Sequence, residues 1–207
     1  MRNNLVLLTA VLLVGVAGAC SRALVWQPYA DASGDFSSEL PASWASIDDP
    51  DLKHRPAAVI AFLGEMKAQD EGNPLGALIQ VSRITRVPSE MPAGEKARQA
   101  YAKAWLASPD MLFKGRVESL PVDAQKGLPK VSELQLGAKT ARTYEREYEH
   151  FNVAHMPRPV PMRLVDVIVR TDKAYYVIEY RATRDLFEKH RPVFERFLKS
   201  FAFGPSA

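Results

Sequence analysis

LVDVIVRTDKAYYVIEY, residues 164–180, decides the fold. Leu164 to Val169 and Ala174 to Tyr180 are apolar runs of strand length, separated by Arg170-Thr171-Asp172-Lys173. Four polar residues between two such runs predict a β-hairpin. Immediately after it the period changes from two to about 3.6. Leu186, Phe187, His190, Val193, Phe194, Phe197 and Leu198 then form a single stripe, the signature of an amphipathic helix. Phe194 and Phe197 are expected to be buried against the sheet. Pro192 lies inside the stripe and is expected to kink or locally weaken the helix, because it lacks the N–H of its turn.

Upstream of the hairpin the signal weakens. In Thr140 to His150, Glu145, Glu147 and Glu149 alternate with Arg146 and Tyr148, which predicts a strand. Gly115 to Gly137 is the least regular stretch, with Pro121, Gly127 and Pro129, and is expected to hold short strands around Val117 and Leu134. Ala97, Ala100, Tyr101, Ala104 and Trp105 fall at helical spacing within Glu95–Ala107, a helix that Pro109 is expected to stop. Ala57 to Leu63 reads as a buried strand, Glu65 to Pro74 as a polar loop, and Ala77, Ile79 and Val81 as one face of the next strand, opposite Gln80 and Ser82. Near the start, Val25–Tyr29 and Phe36–Leu40 flank Asp31-Ala32-Ser33-Gly34-Asp35, a second hairpin, ended by Pro41. Trp44 is expected to plug the core, since large aromatics dominate core burial.

The 207 residues suit one domain, and 47% hydrophobic with 25% charged residues is an ordinary globular balance. A net charge of +3 without a basic run argues against nucleic acid as a partner. Cys20 is the sole cysteine, so neither an intrachain disulfide nor a cysteine-based metal site can form.

The first residues follow the order of a secretory signal. Arg2 gives a positive start, Leu5 to Val16 is nearly all apolar, and Ala17-Gly18-Ala19 are small. The apolar run is shorter than the roughly 20 residues that span a bilayer. Val16-Ala17-Gly18-Ala19-Cys20 resembles the bacterial lipobox, with Ala17 standing where Leu is usual. That resemblance implies cleavage before Cys20, acylation of its sulfur (diacylglycerol, palmitate) and a lipid anchor in the cell envelope. One acyl chain binds a membrane only reversibly, whereas two or three hold a domain firmly. Ser21, rather than Asp, follows the cysteine, which in a Gram-negative source points to the outer membrane, facing the periplasm. The expected organisation is a signal peptide over 1–19, a lipidated tether over 20–25 and one globular domain over 26–203.

Gly34-x-Phe36-x-x-x-Leu40-Pro41-x-x-Trp44, together with a closing strand pair and a helix that ends in Ser200-Phe201, resembles the PsbP-like proteins, the family of the extrinsic photosystem II protein. The resemblance covers roughly Trp26 to Phe203. It implies an α+β fold, an antiparallel β-sheet with helices on both faces (an α/β/α sandwich). It implies no reaction, because fold does not fix function.

Candidate chemistry is sparse. His150 and His155, near Glu147 and Glu149, could take a divalent metal, but the spacing is neither that of helical zinc enzymes nor that of a closed structural site. No nucleophile elbow and no glycine-rich phosphate loop occurs, which argues against an enzyme and against a cofactor. Pro157, Pro159 and Pro161 stiffen the segment Asn152–Met162, and a stiff loop loses less entropy on binding. Val153, Met156 and Val160 would supply apolar contact there and Arg158 a charge at the rim. The chain from His150 to Pro161 is expected to lie exposed at one end of the sheet and not inside it, since prolines cannot donate to a ladder. The competing outcome is a lid that closes the core. The leading reading is therefore a non-enzymatic envelope lipoprotein that binds a protein or small ligand. Metal binding through His150 and His155 is the alternative, and a hydrolase with scattered residues comes last.

Overall fold

β8 (Val160–Arg170) and β9 (Tyr175–Thr183) pair antiparallel from Met162↔Thr183 to Arg170↔Tyr175, as the quoted stretch predicts. The hairpin closes through Thr171, whose N–H and hydroxyl both donate to the Ala174 carbonyl, at 2.9 and 3.1 Å. The structure is a computed structural model that describes residues 24–47, 58–70, 73–84, 94–97, 108–118, 125–150, 159–171 and 174–205.

Around this hairpin runs a seven-stranded antiparallel sheet in the order β3-β4-β5-β9-β8-β7-β6. Its other members are β3 (Ala45–Ile47), β4 (Ala58–Asp70), β5 (Asn73–Ile84), β6 (Gln125–Leu136) and β7 (Lys139–His150). A smaller sheet, β1-β2-β10, joins β1 (Trp26–Ala30) and β2 (Phe36–Pro41) to β10 (Ala202–Phe203). The first and last described strands thereby share a sheet, and the Gly204 N–H donates to the Asp35 carbonyl at 2.8 Å. Two helices of full length are described, α1 (Pro109–Glu118) and α2 (Arg184–Ser200). No described helix is long and apolar enough to cross a membrane.

α2 buries Leu186, Phe187, Val193, Phe194 and Phe197, the expected stripe. They pack on Val165, Val167, Tyr176, Ile178, Tyr180, Ala77, Ile79 and Val81, one face of three adjacent strands. Each such buried side chain contributes about 1.5–3 kcal/mol. Trp44 joins the same cluster and is buried, as expected. Because side chains alternate along a strand, Tyr175, Val177 and Ile168 point to the other face. There they cluster with Tyr144 of β7 and with Leu112 and Phe113 of α1.

Several expectations need correction. Glu65–Pro74 is not a loop, because β4 runs to Asp70 and β5 starts at Asn73, paired as Asp70↔Asn73. The stretch is part of a long two-stranded arm with irregular register, on which Glu65 is half-buried and Lys67 exposed. Pro109 opens α1, where the missing N–H would have had no partner, and the end of the helix expected before it lies outside the described residues. Val117 lies in that helix and not in a strand. Leu134 belongs to a twelve-residue strand whose Pro129 and register shift are tolerated because β6 is an edge. Pro192 is exposed, and α2 runs through it without a break, held by the buried residues on either side. Glu95 to Ala97 are helical, and the remainder of that stripe, with Trp105, lies outside the described residues.

Candidate binding cleft

At the end of the sheet where α2 begins, three elements leave a cleft of about 490 Å³ between them. The β4–β5 arm supplies Lys67 and Leu75, the start of β8 supplies Val160 and Pro161, and the β9–α2 junction supplies Thr183, Arg184 and Asp185. A volume of this size falls in the range of small-ligand pockets, roughly 300–1,000 Å³. Leu75 is buried and Val160 half-buried, so the floor is apolar and the charges stand at the rim.

The arm reaches the cleft because β4 bulges. Its register with β5 shifts between Leu63 and Met66 and again between Met66 and Ala68. Gly76 makes the bulge possible: a Cβ there would lie 2.1 Å from the Glu65 carbonyl oxygen. The helix start supplies the opposite wall. The Thr183 hydroxyl donates to the Asp185 carboxylate at 2.6 Å, and Lys67 Nζ lies 2.7 Å from that carboxylate. These hydrogen bonds, from Lys67 first and Thr183 second, pull the Asp185 pKa down to about 2. The same contact raises Lys67. Arg184 is held by Glu147 of β7 at 2.9 Å. Both rim cations are thus paired with carboxylates.

A second cavity, about 320 Å³, opens under the middle of α2 and is lined by Leu24, Ser43, Trp44, Gly64, Glu65, Lys189, His190 and Val193. The Glu65 carboxylate meets Lys189 at 2.5 Å and the His190 ring at 3.0 Å. The Lys189 hydrogen bond, then that of His190, holds Glu65 below its ordinary pKa. Trp44 stands edge-on to His190, with ring centroids 5.9 Å apart, so it walls this cavity as well as plugging the core.

Of the residues marked in the sequence, Val160 lines the main cleft and is the register partner of His150 across β7 and β8. Pro161 is part of β8, paired with Glu149, and not of a free loop. It is tolerated in this inner strand because β9 pairs with β8 only from Met162 onward. Cys20, Val153, Met156, Arg158 and His155 lie outside the described residues. Among the described residues no group of three His, Cys, Asp or Glu is placed to hold a metal ion. Sequence reading missed Lys67, Leu75, Arg184 and Asp185. The signal for the last was present, since Thr183 and an acid two residues on mark a helix start.

No family model and no curated protein matches the chain. Solved structures similar to it include PsbP-like and LpqN-type folds at low identity. LpqN of Mycobacterium tuberculosis, described as involved in cell envelope biogenesis, is 14% identical, with 88% of this chain and 92% of that one covered and a TM-score of 0.50. Cyanobacterial PsbP (CyanoP) from Synechocystis sp. PCC 6803 is 13% identical over 92% of this chain and 98% of that one, with a TM-score of 0.44. The Saccharomyces cerevisiae Ran-binding protein Mog1p is 9% identical over 87% and 96%, with a TM-score of 0.48. The LpqN likeness shows the fold alone.

Proposed function

We propose that this protein is an envelope lipoprotein, cut before Cys20 and anchored by acyl chains on it, whose domain over 26–203 has a non-enzymatic binding or assembly role. The leader Arg2–Ala19 supports the address. The observation that carries the binding role is the apolar cleft among Leu75, Val160 and Pro161, rimmed by Lys67, Arg184 and Asp185. An apolar floor with a few fixed polar groups at its mouth is what recognition of a ligand or a partner side chain needs. Val160 joins the cleft to the proline-rich segment, so Val153, Met156 and Arg158 belong to the same proposed contact. Outer-membrane residence follows from Ser21 if the source is Gram-negative. The α/β/α sandwich, with helices on both faces, rests on the two buried clusters, one with α2 and one with α1.

The test is a photo-crosslinking residue at Val160 in the full-length protein, irradiated in its own membrane, with Val131 on the far edge strand as control. An adduct formed from Val160 and not from Val131 supports the cleft as the contact. No adduct, or the same adduct from both, contradicts it.

A further inference from the structure

Where the domain leaves its tether is fixed. The Val25 carbonyl accepts the Ala42 N–H at 2.8 Å, and the Arg196 guanidinium lies over the Trp26 ring at 4.1 Å. From Leu24 back to Cys20 are four residues, which span at most about 14 Å in any conformation. Acyl chains on Cys20 would therefore hold this corner within about that distance of the headgroups.

The corner suits such a neighbour. Leu24 and Val25 are 49% and 72% exposed, two of the five large apolar side chains that stand out among the described residues. Around them Ser43 is exposed, and α2 presents Lys189, Arg196 and, half-buried, Ser200, spaced to fall on one stripe of the helix. Its charges are balanced locally. Arg196 holds Glu39 at 2.8 Å, and Glu65 is met by both Lys189 and His190. Each of these two carboxylates thus faces a cation, so the corner offers anionic headgroups little net repulsion within a Debye length, about 8 Å at physiological salt. Exposed apolar side chains beside basic ones, here Leu24 and Val25 beside Lys189 and Arg196, are the composition of an interfacial contact.

We propose that the surface formed by Leu24, Val25, Ser43, Lys189 and Arg196 docks on the bilayer interface, so that the domain sits in one orientation on its membrane. This rests on acylation of Cys20. The occupant is the lipid headgroup region, held there by the short tether.

The experiment uses the full-length acylated protein in vesicles of phosphatidylethanolamine with phosphatidylglycerol as the minority component. An environment-sensitive fluorescent amino acid is placed at Ser43 or, as control, at Val131 on the opposite edge strand, and lipids brominated near the headgroup serve as quencher. Intact mass is measured on the same sample. Docking predicts several-fold stronger quenching at Ser43 than at Val131, and its loss on Leu24→Glu with Val25→Glu, whose exposed side chains carry no core. Equal quenching at both positions in an acylated sample, or quenching at Ser43 unchanged by the double substitution, overturns the docking and leaves the lipoprotein reading intact. A mass without acyl chains overturns both.

Discussion

The two faces of the seven-stranded sheet differ in kind. The α2 face is a continuous apolar cluster in which Phe36, Phe62, Phe187, Phe194, Phe197 and Phe201 meet the small sheet and the helix together. Its aromatic rings touch in chains, Tyr180 with Phe187 and Phe194, and Phe197 with Phe62 and Phe201. The α1 face has a much smaller apolar cluster, and buried Asp166 and Glu179 stand directly opposite each other on the same side of β8 and β9. Phe113 stacks on Tyr144 at 3.9 Å, and the Tyr144 hydroxyl donates to Asp110, which also meets Arg142 at 3.2 Å. One face holds the fold through area, and the other is fastened at a few polar points.

This contrast orders the expected effects. Phe197→Ala leaves a void in the middle of the larger cluster and should cost about 3–5 kcal/mol, read as a lower midpoint in urea denaturation. Phe113→Ala on the other face should fall at or below about 3 kcal/mol in the same assay, because the smaller cluster around it has less to lose. Equal losses from the two substitutions would abolish the asymmetry. Tyr180→Phe removes a buried hydroxyl that donates to the Phe187 carbonyl at 2.7 Å, and should cost about 0.5–1.5 kcal/mol, the net worth of one hydrogen bond.

The smallest effect is expected at the cleft rim. Asp185 has a folded pKa of about 2, below the ordinary carboxylate value of about 3.9. A depressed acid stabilises the fold above its unfolded pKa and loses that contribution as pH falls through its folded value. The loss therefore lies between about pH 4 and pH 2. Lys67 and Asp185 are both more than half exposed, so Asp185→Asn should cost less than about 1 kcal/mol at neutral pH. It should also flatten the acid limb of the stability profile in that window. An unchanged acid limb would show that the pair contributes nothing measurable.

The same asymmetry explains what could be read from the chain. The α2 face is made of runs whose period is unmistakable, Leu164–Tyr180 and Leu186–Leu198, so hairpin, helix and core aromatics were all legible. The α1 face is not. Pro109 is consistent with an end or a beginning, and the packing of Leu112 and Phe113 on Tyr144 shows that a helix begins there. Pro129 and Gly127 hide a long strand, because an edge tolerates both. The cleft was legible at one residue, Val160. Lys67 and Leu75 reach it through a bulge that depends on Gly76, and such a contact leaves no periodic trace.

The proposed anchor stands or falls on Cys20. Intact mass of the mature protein, purified from its own membrane, should correspond to a chain beginning at Cys20 and carrying acyl chains, with Cys20→Ala accumulating as uncleaved precursor. A mature chain that begins at Ser21, or one that begins at Cys20 without acyl groups, would contradict it.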